Sequence, residues 1–334
     1  MKLHVLIDNL PAQDSAQQPA GANGSYTNHT LASEHGLSFL LQTPQGENFL
    51  IDTGAGGGFI GNMQLLKDAF PGNFCCIGEV NGVFISHGHN DHTGGLRKFI
   101  EANTSAPIWL HNSIQGNLFF SCRNRGASAT TAGVMEARSI GMEQSLFAEY
   151  GDRFVQISEP TAITGNITLI PMGDSSLSHP MPLGNKYLYK NDFPDDFSHE
   201  TAILVEFAPE QYAVISPCSH RGILNILDRC TQFLTIMTSS QGADCKKVPI
   251  RTSSQGAKIR YFIGGLHYVD YLGEEETKKE AAQIVQAAEY IREHYPNLKV
   301  FSGHCTGSAA REVLQDALKE NYQHFCTGTT IELK

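Results

Sequence analysis

The sequence lacks the features that nucleic-acid-binding and membrane proteins need. It has no run of Lys and Arg, and its formal net charge is -10, so the clustered cations that neutralise a phosphate backbone are missing. No apolar stretch approaches the roughly 18–20 residues of a membrane span. Hydrophobic residues make up 41% and charged residues 17% of the chain, as in ordinary globular proteins. We therefore expect neither a nucleic-acid partner nor insertion into a membrane.

A signal peptide and a cysteine-based zinc motif are also missing. Asp8 and Pro11 interrupt the short apolar segment at the N-terminus, so no export signal is indicated and a cytoplasmic location is expected. The eight cysteines form no CxxC pair, which argues against a structural zinc knuckle. Most of them should be reduced and buried as small apolar residues, but Cys218 and Cys305 each lie beside a histidine motif.

Apolar segments alternate with amphipathic segments along most of the chain. The patterns predict strands within residues 2–7, 35–43, 48–54, 81–88, 107–111, 153–158, 167–171, 201–220, 258–267 and 298–307, with helices over 59–70, 96–102, 221–236 and 277–295 and from 308 onward. Such alternation predicts an α/β fold in which helices cover the sheets. We expect a single domain over residues 1–334, with loop insertions near 112–150 and 238–257.

One segment carries a strong metal-binding pattern. Residues 86–95 read SHGHNDHTGG, so the spacing His-x-His-x-Asp-His places His87, His89, Asp91 and His92 within six residues directly after a predicted buried strand. Imidazole and carboxylate groups suit Zn²⁺, and also iron and manganese. His87 and His89 can bind one ion while Asp91 and His92 turn toward a second, so the motif predicts a two-metal site.

A two-metal site needs further ligands from elsewhere in the chain. Three later strands also end in a histidine, namely His220, His267 and His304. Because ligand sites of α/β proteins gather at one end of the strands, these side chains are expected to converge on the motif. His220 and His304 are the predicted additional ligands, and His267 is an alternative ligand or a partner of one.

The complete set of motifs resembles the metallo-β-lactamase superfamily. SHGHNDHTGGL carries the resemblance, and IDNL, SEHGLSFL, FLIDTG, CSHRGILNI, IGGLH, GHCTG and GTTIEL follow the order of one branch. That branch is similar to 7,8-dihydropterin-6-methyl-4-(β-D-ribofuranosyl)aminobenzene 5′-phosphate synthase. The resemblance implies an αββα four-layer sandwich with two divalent metal ions, and it implies that Asp52 orients a ligand histidine.

The sequence departs from the superfamily at one position. Most members carry a bridging Asp at the end of a later strand and a further His before that strand. Here the strand AVISPC places Cys218 where the Asp is expected, with His220 two residues later. Either His220 replaces a usual ligand, or the thiolate of Cys218 binds metal, or one of the two metals is held poorly.

We therefore predict a metal-dependent hydrolase that acts on a small molecule. The family resemblance implies that this substrate is phosphorylated and pterin-like. Asp91 and His220 are the candidate catalytic residues, and zinc is the expected metal, with iron or manganese as alternatives. The helix after Thr306, Gly307 and Ser308 could hold a phosphate on its free N–H groups, although an ordinary helix cap accounts for these residues equally well. By family analogy, Glu34 and His35 are also expected to face the substrate pocket.

Two other functions are compatible with the sequence. An iron-dependent oxidoreductase or dioxygenase of the same fold would use the same ligand types. A non-catalytic ligand-binding member would keep the fold without turnover. A β-lactamase is disfavoured because those enzymes are exported.

Overall fold

Two seven-stranded sheets form the framework, in a computed structural model that describes residues 1–11, 31–122, 137–173, 177–239 and 258–334. Strands and helices are numbered in chain order. The first sheet has, in spatial order, β18 (Thr330–Glu332), β1 (Lys2–Ile7), β2 (Ser38–Gln42), β3 (Asn48–Ile51), β4 (Gly82–Phe84), β5 (Ile108–His111) and β8 (Phe154–Ile157). The second has β17 (Tyr322–His324), β16 (Lys299–Ser302), β15 (Lys258–Gly264), β14 (Gln211–Ile215), β13 (Thr201–Ala208), β10 (Ile167–Pro171) and β9 (Thr161–Ala162).

Seven helices accompany the sheets in the described part of the chain. They are α1 (Gly58–Ala69), α2 (Asn90–Thr93), α3 (Leu96–Ala102), α4 (Ser145–Glu149), α5 (Ile223–Ser239), α6 (Glu274–His294) and α7 (Ser308–Leu318). None of them is both long enough and apolar enough to cross a lipid bilayer.

The core has three parts, which define four layers. Side chains alternate between the two faces of a strand, and in β13 this sends Ile203 and Val205 to one core cluster and Ala202 and Leu204 to another. The middle cluster combines residues of both large sheets, such as Phe39 with Ile263. The outer clusters pack α1 and α3 on the first sheet and α5, α6 and α7 on the second. The predicted α/β architecture, an αββα sandwich, is confirmed.

Parallel pairing brings the functional ends of the strands together. In the first sheet β3, β4, β5 and β8 run parallel, and in the second β14, β15, β16 and β17 do so. The carboxyl ends of parallel strands meet at one edge of a sheet. The loops that follow β4, β14, β15 and β16 begin at that edge, and these loops carry the predicted strand-end histidines.

The structure also contains a small third sheet that the sequence patterns did not predict. It has the strand order β12 (Phe193–Pro194), β11 (Leu188–Lys190), β6 (Phe119–Ser121) and β7 (Arg138–Ser139). It includes parts of the 112–150 segment, which the sequence suggested to be a long exposed loop. Residues 123–136 of that segment, and residues 240–257 of the other proposed insertion, lie outside the described residues. The single domain over residues 1–334 stays a prediction.

Candidate metal centre

The four-residue motif lies between β4 and α3, where the chain leaves the first sheet. His87, His89 and His92 are buried, while Asp91 keeps about a fifth of its side chain exposed (19%). Asp91 and His92 belong to the short helix α2, which turns both side chains away from the strand direction. The motif therefore places three imidazoles inside the protein and one carboxylate at the surface of the same cluster.

Asp52 fixes the orientation of two of these imidazoles. One of its oxygens accepts the backbone N–H of Ser86 at 2.8 Å, and the other accepts the Ser86 hydroxyl at 2.7 Å and His92 Nδ1 at 2.7 Å. Because the only hydroxyl proton of Ser86 is donated to Asp52, Ser86 Oγ accepts from His87 Nδ1 at 2.9 Å. Both His87 and His92 are thus protonated on Nδ1, which leaves an Nε2 lone pair on each.

Two asparagines fix the orientation of two later histidines in the same way. Asn185 Oδ1 accepts from His220 Nδ1 at 2.9 Å, and Asn185 Nδ2 donates to the His220 carbonyl at 2.7 Å. Asn9 makes the same pair of contacts with Nδ1 and the carbonyl of His304, at 3.1 and 3.0 Å. An amide oxygen can only accept, so both histidines donate from Nδ1 and each presents an Nε2 lone pair when its ring is neutral.

The four lone pairs face each other in two pairs. His87 Nε2 lies 3.3 Å from His220 Nε2, and His92 Nε2 lies 3.1 Å from His304 Nε2. Burial keeps His87 and His220 neutral, so no proton is available to join that pair. Nitrogens bound to one zinc ion at about 2.0–2.1 Å in a tetrahedron are separated by about 3.3–3.4 Å. The observed separations therefore fit imidazoles that share a metal ion, and a fifth nitrogen, His89 Nε2, is buried without a hydrogen-bond partner among the described residues.

The electrostatics of the cluster also suit a cation. Burial lowers the pKa of His87 and His220 well below the ordinary value and that of His89 to about 3, so these imidazoles are neutral at pH 7, as ligands must be. Burial alone would raise the pKa of Asp91, but His92 and His304 hold it well below its ordinary range. This carboxylate is therefore charged at the mouth of the cluster.

The negative charge is concentrated near His304. Burial would lower the pKa of His304, but Cys305, Asp91 and Asp8 raise it to about 9. Asp91 Oδ2 lies 3.5 Å from His304 Nε2 and 3.8 Å from His92 Nε2. This corner of the cluster favours positive charge, which either a proton or a metal ion can supply.

The loops at the site adopt strained backbone conformations. Asp52, Ser219, His267 and His304 have φ values of 58°, 56°, 52° and 51°, in the left-handed region that residues other than glycine rarely enter. Such strain persists where the surrounding contacts determine the conformation, and it gathers at functional sites. All four residues follow a strand of one of the two large sheets and point to a site built at these strand ends.

Comparison with known proteins agrees with the resemblance found in the sequence. The family described as the metallo-beta-lactamase superfamily matches residues 34–118. A curated relative from Methanocaldococcus jannaschii, named 7,8-dihydropterin-6-methyl-4-(beta-D-ribofuranosyl)-aminobenzene-5'-phosphate synthase, is 24% identical, with 98% of this chain and 97% of the relative covered. Residues 34–118 are thus similar to the metallo-β-lactamase superfamily. A solved structure described as a metal-dependent hydrolase of the beta-lactamase superfamily has the same fold, with a TM-score of 0.64, 22% identity and coverage of 100% of this chain and 99% of that chain.

His199 lies near the motif, although its sequence spacing gave no reason to select it. It precedes β13 and is fully buried beside His87 and His89. However, both of its nitrogens are engaged, because Nδ1 accepts from the Gly88 N–H at 3.2 Å and Nε2 donates to Asp195 at 3.1 Å. His199 therefore offers no nitrogen to a metal ion, whereas His220 directs its Nε2 at His87.

Cys218 occupies the position where the superfamily usually has an Asp. Its sulfur lies within 4.8 Å of ligand atoms of His87 and His220, and equally of His92 and His304. The same sulfur is 3.5 Å from His267 Nδ1. The structure thus places Cys218 between the two imidazole pairs, and it places His267 behind Cys218 rather than beside the four-residue motif.

The residues expected near a substrate have different surroundings. The His35 side chain is 75% exposed and its Nε2 lies 3.6 Å from Asp91 Oδ2, at the open side of the cluster. Glu34 instead accepts the Gly56 N–H at 3.0 Å and so holds the glycine-rich loop before α1. Of these two, only His35 lies where an incoming molecule would pass Asp91.

The N-terminus of α7 is capped from within the protein. Asp270 accepts the backbone N–H of Ser308 at 2.8 Å and its hydroxyl at 3.1 Å. Gly307 donates its N–H to the Tyr268 carbonyl at 2.6 Å, and Thr306 Oγ1 accepts from Leu266 N at 3.0 Å. Of the two alternatives, a bound phosphate or a helix cap, the contacts correspond to a cap, but Asp270 supplies it rather than Thr306 or Ser308.

Replacing Asn9 by alanine should weaken metal binding by about 10- to 100-fold, the usual effect of removing a partner that orients a ligand histidine. The substitution removes the only acceptor for His304 Nδ1 that the described residues provide, so the ring loses its fixed tautomer and orientation. Competition with a chromogenic chelator measures the affinity. Asn48→Ala, at the amino end of β3, is the matched control and should bind metal like the wild type. Equal affinities in both variants would contradict the assigned role of Asn9.

Proposed function

We propose that the protein is a metal-dependent hydrolase with a two-metal site, which attacks a small phosphate ester with water. The proposed ligands are His87, His89 and His220 for one ion and Asp91, His92 and His304 for the other. The facing Nε2 atoms of His87 and His220 support this proposal most directly, because two neutral imidazoles at 3.3 Å have no proton to share. The donor set of five imidazoles and one carboxylate favours zinc, with iron and manganese as the alternatives.

Asp91 is the proposed proton acceptor. It is the ligand candidate with a partly exposed carboxylate, and its depressed pKa keeps it charged at neutral pH. A bound divalent ion would lower the pKa of a coordinated water to about 7. The Asp91 carboxylate is placed to take the proton of an attacking water at the open side of the cluster, and His35 stands at the same opening.

His220 is proposed to contribute to catalysis by holding the metal in position. Phe197 stacks on its ring with the ring centroids 4.3 Å apart, while Asn185 holds Nδ1. These contacts leave Nε2 directed at His87 without freedom to rotate. We therefore propose His220 as a metal ligand whose catalytic contribution would be to hold the metal beside Asp91.

The proposed substrate class rests on the curated relative. That relative is named a synthase of a phosphorylated pterin compound, and the likeness extends over nearly the whole chain. We propose that this protein likewise takes a small phosphorylated molecule with a pterin-like group. The internal cap on α7 by Asp270 means that the phosphate would be held by the metal site rather than by that helix.

Metal removal tests the reaction class. The protein is purified without added metal, its metal content is measured, and hydrolysis of bis(p-nitrophenyl) phosphate and p-nitrophenyl phosphate is assayed before and after dialysis against a chelator. We expect activity to disappear with the metal and to return on adding zinc. His87→Ala should stay inactive after zinc is restored, whereas His294→Ala, at an exposed histidine on α6, should regain wild-type activity.

Two results would overturn this function. Phosphoester hydrolysis that persists in metal-free protein would remove the metal from the reaction. Iron at full occupancy together with oxygen consumption, and no hydrolysis of either ester, would instead establish an oxidoreductase of the same fold.

A further inference from the structure

A sulfur-containing cluster adjoins the six proposed ligands. Cys218 Sγ lies 3.3 Å from Cys305 Sγ and 3.5 Å from His267 Nδ1. The ligand atoms of these three residues all lie within 4.8 Å of one another. Each residue comes from a different loop, after β14, β15 and β16 respectively, so the cluster joins three neighbouring strand ends of the second sheet.

The dimensions of the cluster suit a tetrahedral ion. With Zn–S distances of about 2.3 Å and Zn–N distances of about 2.0–2.1 Å, two sulfurs are separated by about 3.8 Å and a sulfur and a nitrogen by about 3.5 Å. The observed sulfur–nitrogen separation has this value, and the sulfur pair at 3.3 Å needs to open by about half an ångström. Rotation of the Cys305 side chain, which is only partly buried, provides that movement.

The environment differs from that of an ordinary buried cysteine. Cys230, for comparison, lies in the outer apolar core among leucine and isoleucine side chains. Cys218 instead faces sulfur and imidazole, and Cys305 Sγ accepts the backbone N–H of His267 at 3.2 Å, a bond that favours a charged sulfur. Thiolates beside imidazole are the donors that select zinc among the common divalent ions.

Two features of the loop after β15 build this arrangement. A side chain at Gly265 would place its Cβ 2.5 Å from Cys305 Sγ, so glycine is needed there for the loops to approach. His267 is held at a φ of 52° and is 8% exposed, and its Nδ1 is turned toward the Cys218 sulfur at 3.5 Å. A buried imidazole that a strained loop holds with one nitrogen against a sulfur is an arrangement that a shared ligand would account for.

We propose that Cys218, His267 and Cys305 bind a zinc ion at a thiolate site that adjoins the imidazole–carboxylate site. This site is separate from the proposed hydrolytic reaction and does not depend on it. Its three ligands tie the loops after β14, β15 and β16 together. The Cys218 sulfur faces both sites, whereas Cys305 and His267 belong to the thiolate site alone, and this difference makes the two sites separable by mutation.

Cobalt substitution tests the proposal without reference to activity. Metal-free protein kept reduced under anaerobic conditions is titrated with Co²⁺, and the near-ultraviolet absorption is followed for sulfur-to-cobalt charge transfer. We expect this absorption in the wild type. In Cys305→Ser it should fall by about half or more, and the variant should bind one equivalent of Zn²⁺ less than the wild type. His267→Ala should bind this equivalent at least tenfold more weakly. Cys122→Ser, at the residue that follows β6 of the third sheet, is the control and should match the wild type.

The wild-type spectrum keeps the test informative even if a variant fails to fold. Cobalt-loaded wild type without sulfur charge transfer would overturn the proposal. So would an unchanged zinc stoichiometry in a folded Cys305→Ser, or a disulfide between Cys218 and Cys305 as the main form of protein purified anaerobically without reductant. Loss of phosphoester hydrolysis alone would count against the proposed function and leave the thiolate site in place.

Discussion

His220→Ala should lower kcat/KM for phosphoester hydrolysis by more than about a hundredfold and remove close to one equivalent of bound metal. A partner that merely orients a ligand contributes about 10- to 100-fold, so loss of a ligand itself should exceed that range. The reason lies in the pairing of His220 Nε2 with His87 Nε2 at 3.3 Å. With His220 removed, His87 and His89 alone supply imidazole to that ion.

His199→Ala is the matched variant, since both histidines are fully buried beside His87. His199 has no nitrogen left for a metal, because Gly88 and Asp195 occupy both. We expect His199→Ala to keep the wild-type metal stoichiometry and to lose activity only moderately, through a looser loop around Gly88. Metal analysis and steady-state kinetics on both variants, with circular dichroism to verify folding, provide the comparison. Loss of a metal equivalent in His199→Ala but not in His220→Ala would reverse the assignment.

Periodicity and local motifs predicted the framework because they depend on neighbouring residues. The strand KLHVLI was placed at residues 2–7 and is β1, and the helix placed at 277–295 is α6, which spans Glu274–His294. The strand-end histidines converge because parallel pairing forces the carboxyl ends of β14, β15 and β16 to the same edge. A site that follows from topology and from one six-residue motif can be recognised in a single sequence.

The remaining parts of the site depend on contacts between distant residues. Asn9 lies 295 residues before His304, and Asn185 lies 35 residues before His220. Asn185 also falls in a polar segment without periodicity, so nothing local marks it as a partner of His220. Asn9 is part of the IDNL motif, which was a usable signal, but the motif does not say which histidine the amide holds.

Local patterns could not decide two further features. Thr306, Gly307 and Ser308 resemble a phosphate-binding helix start, but Asp270, 38 residues before Ser308, fills that position. The strands of the third sheet have only two or three residues each, which is too short for an alternating pattern to stand out. In both cases the deciding interaction is formed by residues far apart in the sequence.

Asp52→Asn should have the largest effect of any conservative substitution in the chain, a loss of about 10²- to 10⁴-fold in kcat/KM together with weaker metal binding. Asparagine tolerates the left-handed conformation that Asp52 adopts at a φ of 58°, so the backbone should be preserved. The amide nitrogen, however, can only donate, whereas the Asp52 oxygens accept from Ser86 N, Ser86 Oγ and His92 Nδ1.

The consequences of that change reach both metals. An amide N–H₂ in this position requires His92 to move its proton to Nε2, the atom that faces His304, and so removes a ligand lone pair. Ser86 would have to direct its proton away from residue 52, which disturbs the acceptor for His87 Nδ1 at 2.9 Å. A single amide therefore alters one imidazole of each facing pair, although Asp52 itself is not a proposed ligand.

Asp195→Asn is the matched control for this prediction, because Asp195 is also buried and also accepts from an imidazole, that of His199. Since His199 presents no lone pair to the site, changing its partner should cost less than about tenfold in kcat/KM and leave the metal content unchanged. Chelator competition, metal analysis and kinetics on both variants give the comparison, with thermal melting to verify that each is folded. If a folded Asp52→Asn bound both metals with wild-type affinity, the tautomers of His87 and His92 would not depend on Asp52, and the lone-pair argument for the metal site would lose its basis.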